Sequence, residues 1–172
     1  DLSWQYDRTA HSTTYSAEGI SGETISLKLT SGTNSITTYS STGNALTVGC
    51  DSVTGGRKKC TNYSLKDASK TIKITKKPLT PSTGTCSNKT YDGTKTATCN
   101  SYSATGVISG DTVTVGKTCT FADAAVGTGK TITCVASLSG AQAGNYSAAD
   151  ATGSANITAK ALTATLSCSN KT

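Results

Sequence analysis

Methionine is absent from the 172-residue chain, and phenylalanine, tryptophan and histidine occur once each. Leucine, glutamate and glutamine are sparse too, whereas serine and threonine number 23 and 34. That balance gives little helix propensity and excludes a helical bundle. No apolar run approaches the roughly 18 residues of a membrane-spanning helix. No Cys-x-x-Cys occurs, so with a single histidine the usual spacing for zinc or cluster ligation is missing. Neither an initiator methionine nor a signal peptide is present, so the chain is expected to be a mature or excised fragment. Charge is modest, with 16 Lys+Arg against 10 Asp+Glu. A basic balance favours anionic polymers such as acidic glycans. Because the lysines are scattered, the favoured reading is protection of exposed strand edges, with at most weak glycan binding and no nucleic-acid specificity.

Seven cysteines stand against these absences: Cys50, Cys60, Cys86, Cys99, Cys119, Cys134 and Cys168. That density in a small β-rich chain points to disulfides and an oxidising compartment. The chain also repeats itself. Gln5-Tyr6-Asp7-Arg8-Thr9 matches Thr90-Tyr91-Asp92-Gly93-Thr94, and Ile20-Ser21-Gly22-Glu23-Thr24 matches Ile108-Ser109-Gly110-Asp111-Thr112. Asn62-Tyr63-Ser64 matches Asn145-Tyr146-Ser147, and Ile74-Thr75 matches Ile157-Thr158. The order is kept, with spacings of roughly 85 residues, which predicts a quasi-linear array. Leu162 to Thr172 echoes Leu79 to Thr90. The expected organisation is one repeat over 1–79, a second over 80–162 and the first strand of a third over 163–172. Both prolines, Pro78 and Pro81, fall at the first boundary and predict a stiff linker.

Alternation with period two marks strands with one buried face. Val113, Val115, Cys119 and Phe121 share one parity against threonines, as do Ile132, Cys134, Ala136 and Leu138. Ile25, Leu27 and Leu29 do the same in the first repeat. Turn signals at Ser21-Gly22, Gly43-Asn44, Gly55-Gly56 and Asp92-Gly93 separate the strands. The fold class expected is all-β: tandem immunoglobulin-like β-sandwich domains stapled by disulfides. Asp-Gly suits a two-residue type I′ hairpin turn. Such a turn sets Tyr91 opposite Thr94 and, counting outward, Cys86 opposite Cys99 in a non-hydrogen-bonded pair. The close Cα approach of such pairs, about 4.5 Å, accepts a disulfide. The other expected bridges are Cys119–Cys134 across the hairpin at Ala122–Gly129 and Cys50–Cys60 around Gly55-Gly56. Cys168 would find its partner beyond Thr172. Other connectivities stay open on spacing alone.

These stretches resemble the YDG repeat of bacterial surface proteins, through Lys89-Thr90-Tyr91-Asp92-Gly93-Thr94, Gly106–Val113, Phe121–Gly127, Leu138–Tyr146 and Ile157-Thr158. The first stretch resembles the related MBG repeat, through Tyr6-Asp7-Arg8-Thr9-Ala10-His11-Ser12, Gly19–Glu23, Asn62-Tyr63-Ser64-Leu65 and Ile72–Lys77, with Arg8 where the family has glycine. The resemblance implies a long secreted or wall-attached bacterial adhesin.

Candidate sites are few. His11 as a catalytic base would need a nucleophile and an orienting carboxylate, and a structural role is favoured. Trp4 and Tyr6 suit sugar stacking or, preferably, a hydrophobic anchor. Asp92, Asp111 and Asp123 suit calcium or, preferably, turn capping. Asn62, Asn88, Asn145, Asn156 and Asn170 open Asn-x-Ser/Thr triplets, favoured as features of the repeat rather than glycan acceptors. No enzyme constellation, cofactor site or metal site is expected. The expected function is a non-enzymatic stalk or fibre body of an extracellular bacterial surface adhesin. Its partners would be neighbouring repeats of the same chain and other copies in a fibre. The alternatives are a glycan- or matrix-binding module and a self-assembling extracellular filament subunit.

Overall fold

The computed structural model describes residues 1–20, 22–55, 59–66, 68–100 and 103–168. Ser21, Gly56, Asn170 and the last residues of the expected third repeat lie outside them. Among the described residues there is no α-helix; two 3₁₀ turns, Cys60–Asn62 and Ala143–Asn145, interrupt a chain that is otherwise strands and loops. Among the described residues no helix is long and apolar enough to cross a membrane. Packing divides the chain into two units. Unit 1 holds Asp1–Pro78, Ile108–Val113 and Gly140–Ser147, and unit 2 holds Leu79–Val107, Thr114–Ser139 and Ala148–Thr172.

Unit 1 contains strands β1 (Leu2–Gln5), β2 (His11–Ser12), β3 (Ala17–Glu18), β4 (Thr24–Ser31), β5 (Ser35–Ile36), β6 (Asn44–Thr54) and β7 (Ser69–Thr75). Five of them form a sheet in the order β1-β7-β6-β4-β3, and β2 pairs with β5. The first strand runs parallel to the last, Trp4 opposite Ile74. Alternation decides which face is buried. Ile72 and Ile74 are fully buried while Lys73 between them is not, and Ile25, Leu46 and Val53 join them in the interior. Between β4 and β6 the register shifts twice, the irregularity of a bulged pair. Cys50 and Cys60 are bridged, tying β6 to the first 3₁₀ turn.

The remaining strands are β8 (Lys77–Ser82), β9 (Lys89–Thr90), β10 (Ser103–Thr105), β11 (Thr114–Phe121), β12 (Gly127–Ser139), β13 (Tyr146–Ala148) and β14 (Ala151–Thr158). Unit 2 is built on a sheet in the order β11-β12-β14-β9. Here too the first strand runs parallel to the last, Lys89 opposite Ile157. The β11–β12 hairpin pairs Cys119 with Cys134 and Phe121 with Ile132. All four side chains are buried, and Ala97, Cys99, Ala155 and Ile157 complete the core, with Cys86 packed against it. Disulfides join Cys86 to Cys99 and Cys119 to Cys134. Cys168 is free and exposed, and residues 159–168 carry no regular structure.

Two expectations are corrected. The Pro78–Pro81 segment, where the chain first passes from unit 1 to unit 2, is not an unpaired linker but the strand β8, antiparallel to β10. Its residues alternate in exposure and Leu79 is buried, so burial of the leucine decides the conformation. Nor does Asp92-Gly93 make a type I′ turn. That turn needs positive φ at both central residues, and Arg8 is the sole non-glycine residue with positive φ among those described. Residues on either side of Asp92 pair outward instead, Lys89 and Thr90 with β14 and Thr96 with Thr120. The Cys86/Cys99 pairing is nevertheless of the non-hydrogen-bonded kind. The flanking bonds run from Ser87 N–H to Thr98 O and from Asn100 N–H to Thr85 O, each at 2.8 Å.

Candidate functional site

Two Tyr-Asp turns are the most organised polar features, and both follow from the same local chemistry. An aspartate two residues past a strand can bond the backbone two residues on. Asp7 Oδ1 accepts the Thr9 N–H at 2.9 Å and the Thr9 hydroxyl at 2.7 Å. Asp92 Oδ1 accepts the Thr94 N–H at 2.8 Å and the Thr94 hydroxyl at 2.9 Å. The preceding tyrosine is fixed alike in both, with Tyr6 N–H donating to Thr75 O and Tyr91 N–H to Thr158 O. Residue three has φ near +68° in Arg8 and +78° in Gly93, so Arg8 holds a conformation that ordinarily favours glycine. Hydrogen bonds hold both carboxyls well below the usual range, at about 2. For Asp7 the Thr9 hydroxyl contributes most, and for Asp92 the Lys89 ammonium.

Opposite these turns in sequence stand two acid–tyrosine pairs. In the first, the Tyr63 hydroxyl donates to Glu23 and accepts from the Ile20 N–H. In the second, the Tyr146 hydroxyl donates to Asp111 at 2.5 Å and accepts from the Ile108 N–H at 3.1 Å. Unit 1 also brings Tyr6 and Arg8 onto this second pair. The Tyr6 and Tyr146 rings meet edge to face with centroids 5.4 Å apart. Arg8 Nε lies 3.2 Å from Asp111 Oδ1, and Arg8 donates to Ser109 O at 2.6 Å. Asn145 Oδ1 accepts the Tyr39 N–H. Asp111 is 1 % exposed at its side chain. Burial, then the neighbouring Asp111 carboxylate, pushes both Tyr6 and Tyr146 phenols up. Sequence reasoning singled out Tyr6, Arg8, Asp111, Asn145 and Tyr146, but neither Tyr39 nor the meeting of these residues across more than a hundred positions. The signal available was the recurrence of tyrosine and acid in both stretches.

The remaining sequence candidates are placed as follows. His11 Nε2 is 2.9 Å from Asp7 Oδ1 and 3.2 Å from the Thr9 hydroxyl, and its ring stacks on Trp4. Carboxylate and hydroxyl share one ring nitrogen. A base relay needs its partners on opposite nitrogens, so the trio holds the turn. Asp123 accepts from Lys130 at 2.5 Å and from the Ala125 N–H, and Lys130 in particular lowers its pKa. Asp92, Asp111 and Asp123 therefore serve three separate hydrogen-bonding sets rather than one ligand cage. Asn156 N–H donates to Asn88 and Gly129 N–H to Asn156; Asn145 is buried, and Asn62 is exposed. The Cys99, Cys119 and Cys134 sulfurs lie within 4.8 Å of one another, but all three are spent in disulfides. A cleft of about 440 Å³ in unit 1 is lined by Tyr15, Tyr63, Lys66 and Lys70 among others.

The turn at Tyr91, the acid at Asp111 and the Asn145-Tyr146 pair all fall inside one family match. The model of the YDG domain family matches residues 75–155. The match takes in strands β8 to β13 whole and β14 as far as Ala155. Neither a curated protein nor a solved structure matches the chain.

Proposed function

We propose that the chain is a non-enzymatic structural segment, a stalk or fibre body, of a large extracellular adhesin or filament on a bacterial surface. On this reading it comprises tandem immunoglobulin-like repeats, MBG-like over 1–79 and YDG-like over 80–162. One observation carries the proposal: both stretches spend the same polar groups on the same fastening. Tyr6 and Tyr91 bond to the closing strand alike, and Asp7 and Asp92 bond to Thr9 and Thr94 alike. Residues so used hold a scaffold together and leave little over for chemistry. Three disulfides suit an oxidising, exposed location. Excising residues 80–162 in the producing bacterium tests the reading. A spacer predicts a shorter surface fibre whose adhesion at the tip is retained. Lost adhesion at unchanged fibre length would refute it.

A second reading, glycan binding, is favoured by the unit 1 cleft, where Tyr15 and Tyr63 offer rings and Lys66 and Lys70 offer charge. A weak electrostatic grip must fade with salt, since screening shortens to about 8 Å at physiological ionic strength. Tight sugar binding at high salt, lost in Tyr15→Ala, would favour this module over the stalk.

A further inference from the structure

Unit 2 gathers its sulfur at one place. Cys119 and Cys134 face one another across the β11–β12 hairpin. The Ala97 N–H donates to Cys119 O at 3.0 Å, which brings the stretch leading to Cys99 alongside β11. Gly153 on β14 leaves room for Cys86, since a Cβ there would stand 2.7 Å from the Cys86 sulfur. Two disulfides are neighbours as a result. The Cys99, Cys119 and Cys134 sulfurs lie within 4.8 Å of one another, and Cys86 is bonded to Cys99. Cys99, Cys119 and Cys134 are buried, whereas Cys86 is half-buried. A thiol arriving from solvent therefore meets Cys86 first.

We propose that Cys86 is a thiolation site for low-molecular-weight thiols, and that Cys99, released there, exchanges into the buried Cys119–Cys134 bridge. In the first step a small thiolate, its proton left to solvent, attacks the Cys86 sulfur. A bond forms between that thiol and Cys86, the Cys86–Cys99 bond breaks, and Cys99 departs with the electron pair. In the second step the Cys99 thiolate attacks Cys119 or Cys134. The new bond replaces the Cys119–Cys134 bond, and the displaced sulfur leaves as a thiolate that takes a proton from solvent. Both disulfides are exchanged rather than lost, one of them becoming mixed, so the thiol is the sole co-reactant and no oxidant is consumed.

The surroundings favour this course. Exchange needs a thiolate with access to a disulfide sulfur, and Cys99 is held beside two. A nucleophile so held acts at an effective concentration far above that of a dilute thiol in solution, so the core bridge is reached through Cys99. Lys117 donates from its ammonium to the Cys99 carbonyl, and a cation beside a cysteine favours the thiolate. Cys50–Cys60 is the internal reference. Its cysteines are half-buried too but stand outside the sulfur cluster, so thiol attack there ends at a mixed disulfide. The exchange goes beyond the spacer reading and holds or fails independently of it.

The test uses the oxidised 172-residue chain carrying Cys168→Ser, which removes the exposed free thiol. The chain is incubated with reduced glutathione at neutral pH without denaturant, quenched with acid and N-ethylmaleimide, and mapped as non-reduced peptides. Glutathione is expected on Cys86, with peptides joining Cys99 to Cys119 or Cys134 growing as the Cys119–Cys134 peptide is lost. Cys86→Ser in the same background isolates the second step: its odd thiol is expected to be shared among Cys99, Cys119 and Cys134. Cys99 recovered as the free thiol with Cys119–Cys134 intact, in either chain, overturns the exchange. A Cys86–Cys99 bridge that survives while Cys50–Cys60 is thiolated, or glutathione on Cys99 in place of Cys86, overturns the assignment of Cys86. Bridges from Cys99 to Cys50 or Cys60 mean scrambling through unfolded chain and overturn the proposal as well.

Discussion

The two units solve the same problem with different materials. Unit 1 fills its centre with Ile25, Leu46, Val53, Ile72 and Ile74, and its one disulfide joins two half-buried cysteines. Unit 2 has the chain's single phenylalanine, and sulfur occupies much of its interior. Cys99, Cys119 and Cys134 are at most 6 % exposed and touch Phe121, Ile132 and Ile157 in one cluster. A domain of this size rarely gains more than about 3–5 kcal/mol from a single core. Where large hydrophobic side chains run short, a buried disulfide both fills volume and restrains the unfolded chain. In unit 1 the bridge does mainly the latter.

Four measurements break or sharpen this contrast. Reduction, or Cys119→Ser with Cys134→Ser, carries the largest expected effect. Loss of a native disulfide from a small domain costs about 2–5 kcal/mol, and in unit 2 it also strips the core. Hydrogen exchange in reductant should show unit 2 amides deprotected well before those of β6 and β7. Equal loss in both units would erase the distinction. Phe121→Ala comes next, costing about 3–5 kcal/mol in denaturant melts, since the ring is 2 % exposed and its neighbours are held by the bridges.

Arg8→Ala is third. It leaves Asp111 short of a charged partner and places alanine at φ +68°. A loss of about 1–3 kcal/mol is expected, together with solvent exposure of Tyr6 readable by its fluorescence and chemical shift. The smallest effect is the acid one. The Asp7 and Asp92 carboxyls titrate at about 2 when folded, below the unfolded value of 3.8. The unfolded chain then binds more protons, so this stabilisation is whole above about pH 4 and is lost as pH falls towards 2. Acid melts of Asp92→Asn should show a shallower loss over that window than the native chain. An unchanged slope would contradict the shared fastening of the two turns.

Sequence reasoning reached the sulfur-rich interior because alternation is local: Cys119, Phe121, Ile132 and Cys134 declare one face by parity, and the structure buries all four. Turn conformation was harder to read. Asp-Gly marks a turn, but the dipeptide does not say whether the aspartate takes positive φ or bonds Thr94 through its side chain, and here the side chain wins. The Pro78–Pro81 strand was hidden because proline dominates the reading, while the alternation of Lys77, Leu79 and Pro81 against Pro78, Thr80 and Ser82 is the feature that counts. The meeting of Arg8 with Asp111 was out of reach, since no local pattern records which distant carboxylate lies beneath a guanidinium. Its trace in sequence was the arginine standing where a glycine conformation is required.

The proposed stalk role makes these units a stapled scaffold under tension, with unit 2 dependent on sulfur. Single-molecule pulling between the chain ends tests it most directly. In the oxidised protein the disulfides withhold the residues between Cys50 and Cys60, Cys86 and Cys99, and Cys119 and Cys134, at separations of 10, 13 and 15. The account predicts that reductant lengthens the released chain and lowers the rupture force of unit 2 more than that of unit 1. Rupture forces and released lengths that reductant leaves unchanged would contradict it.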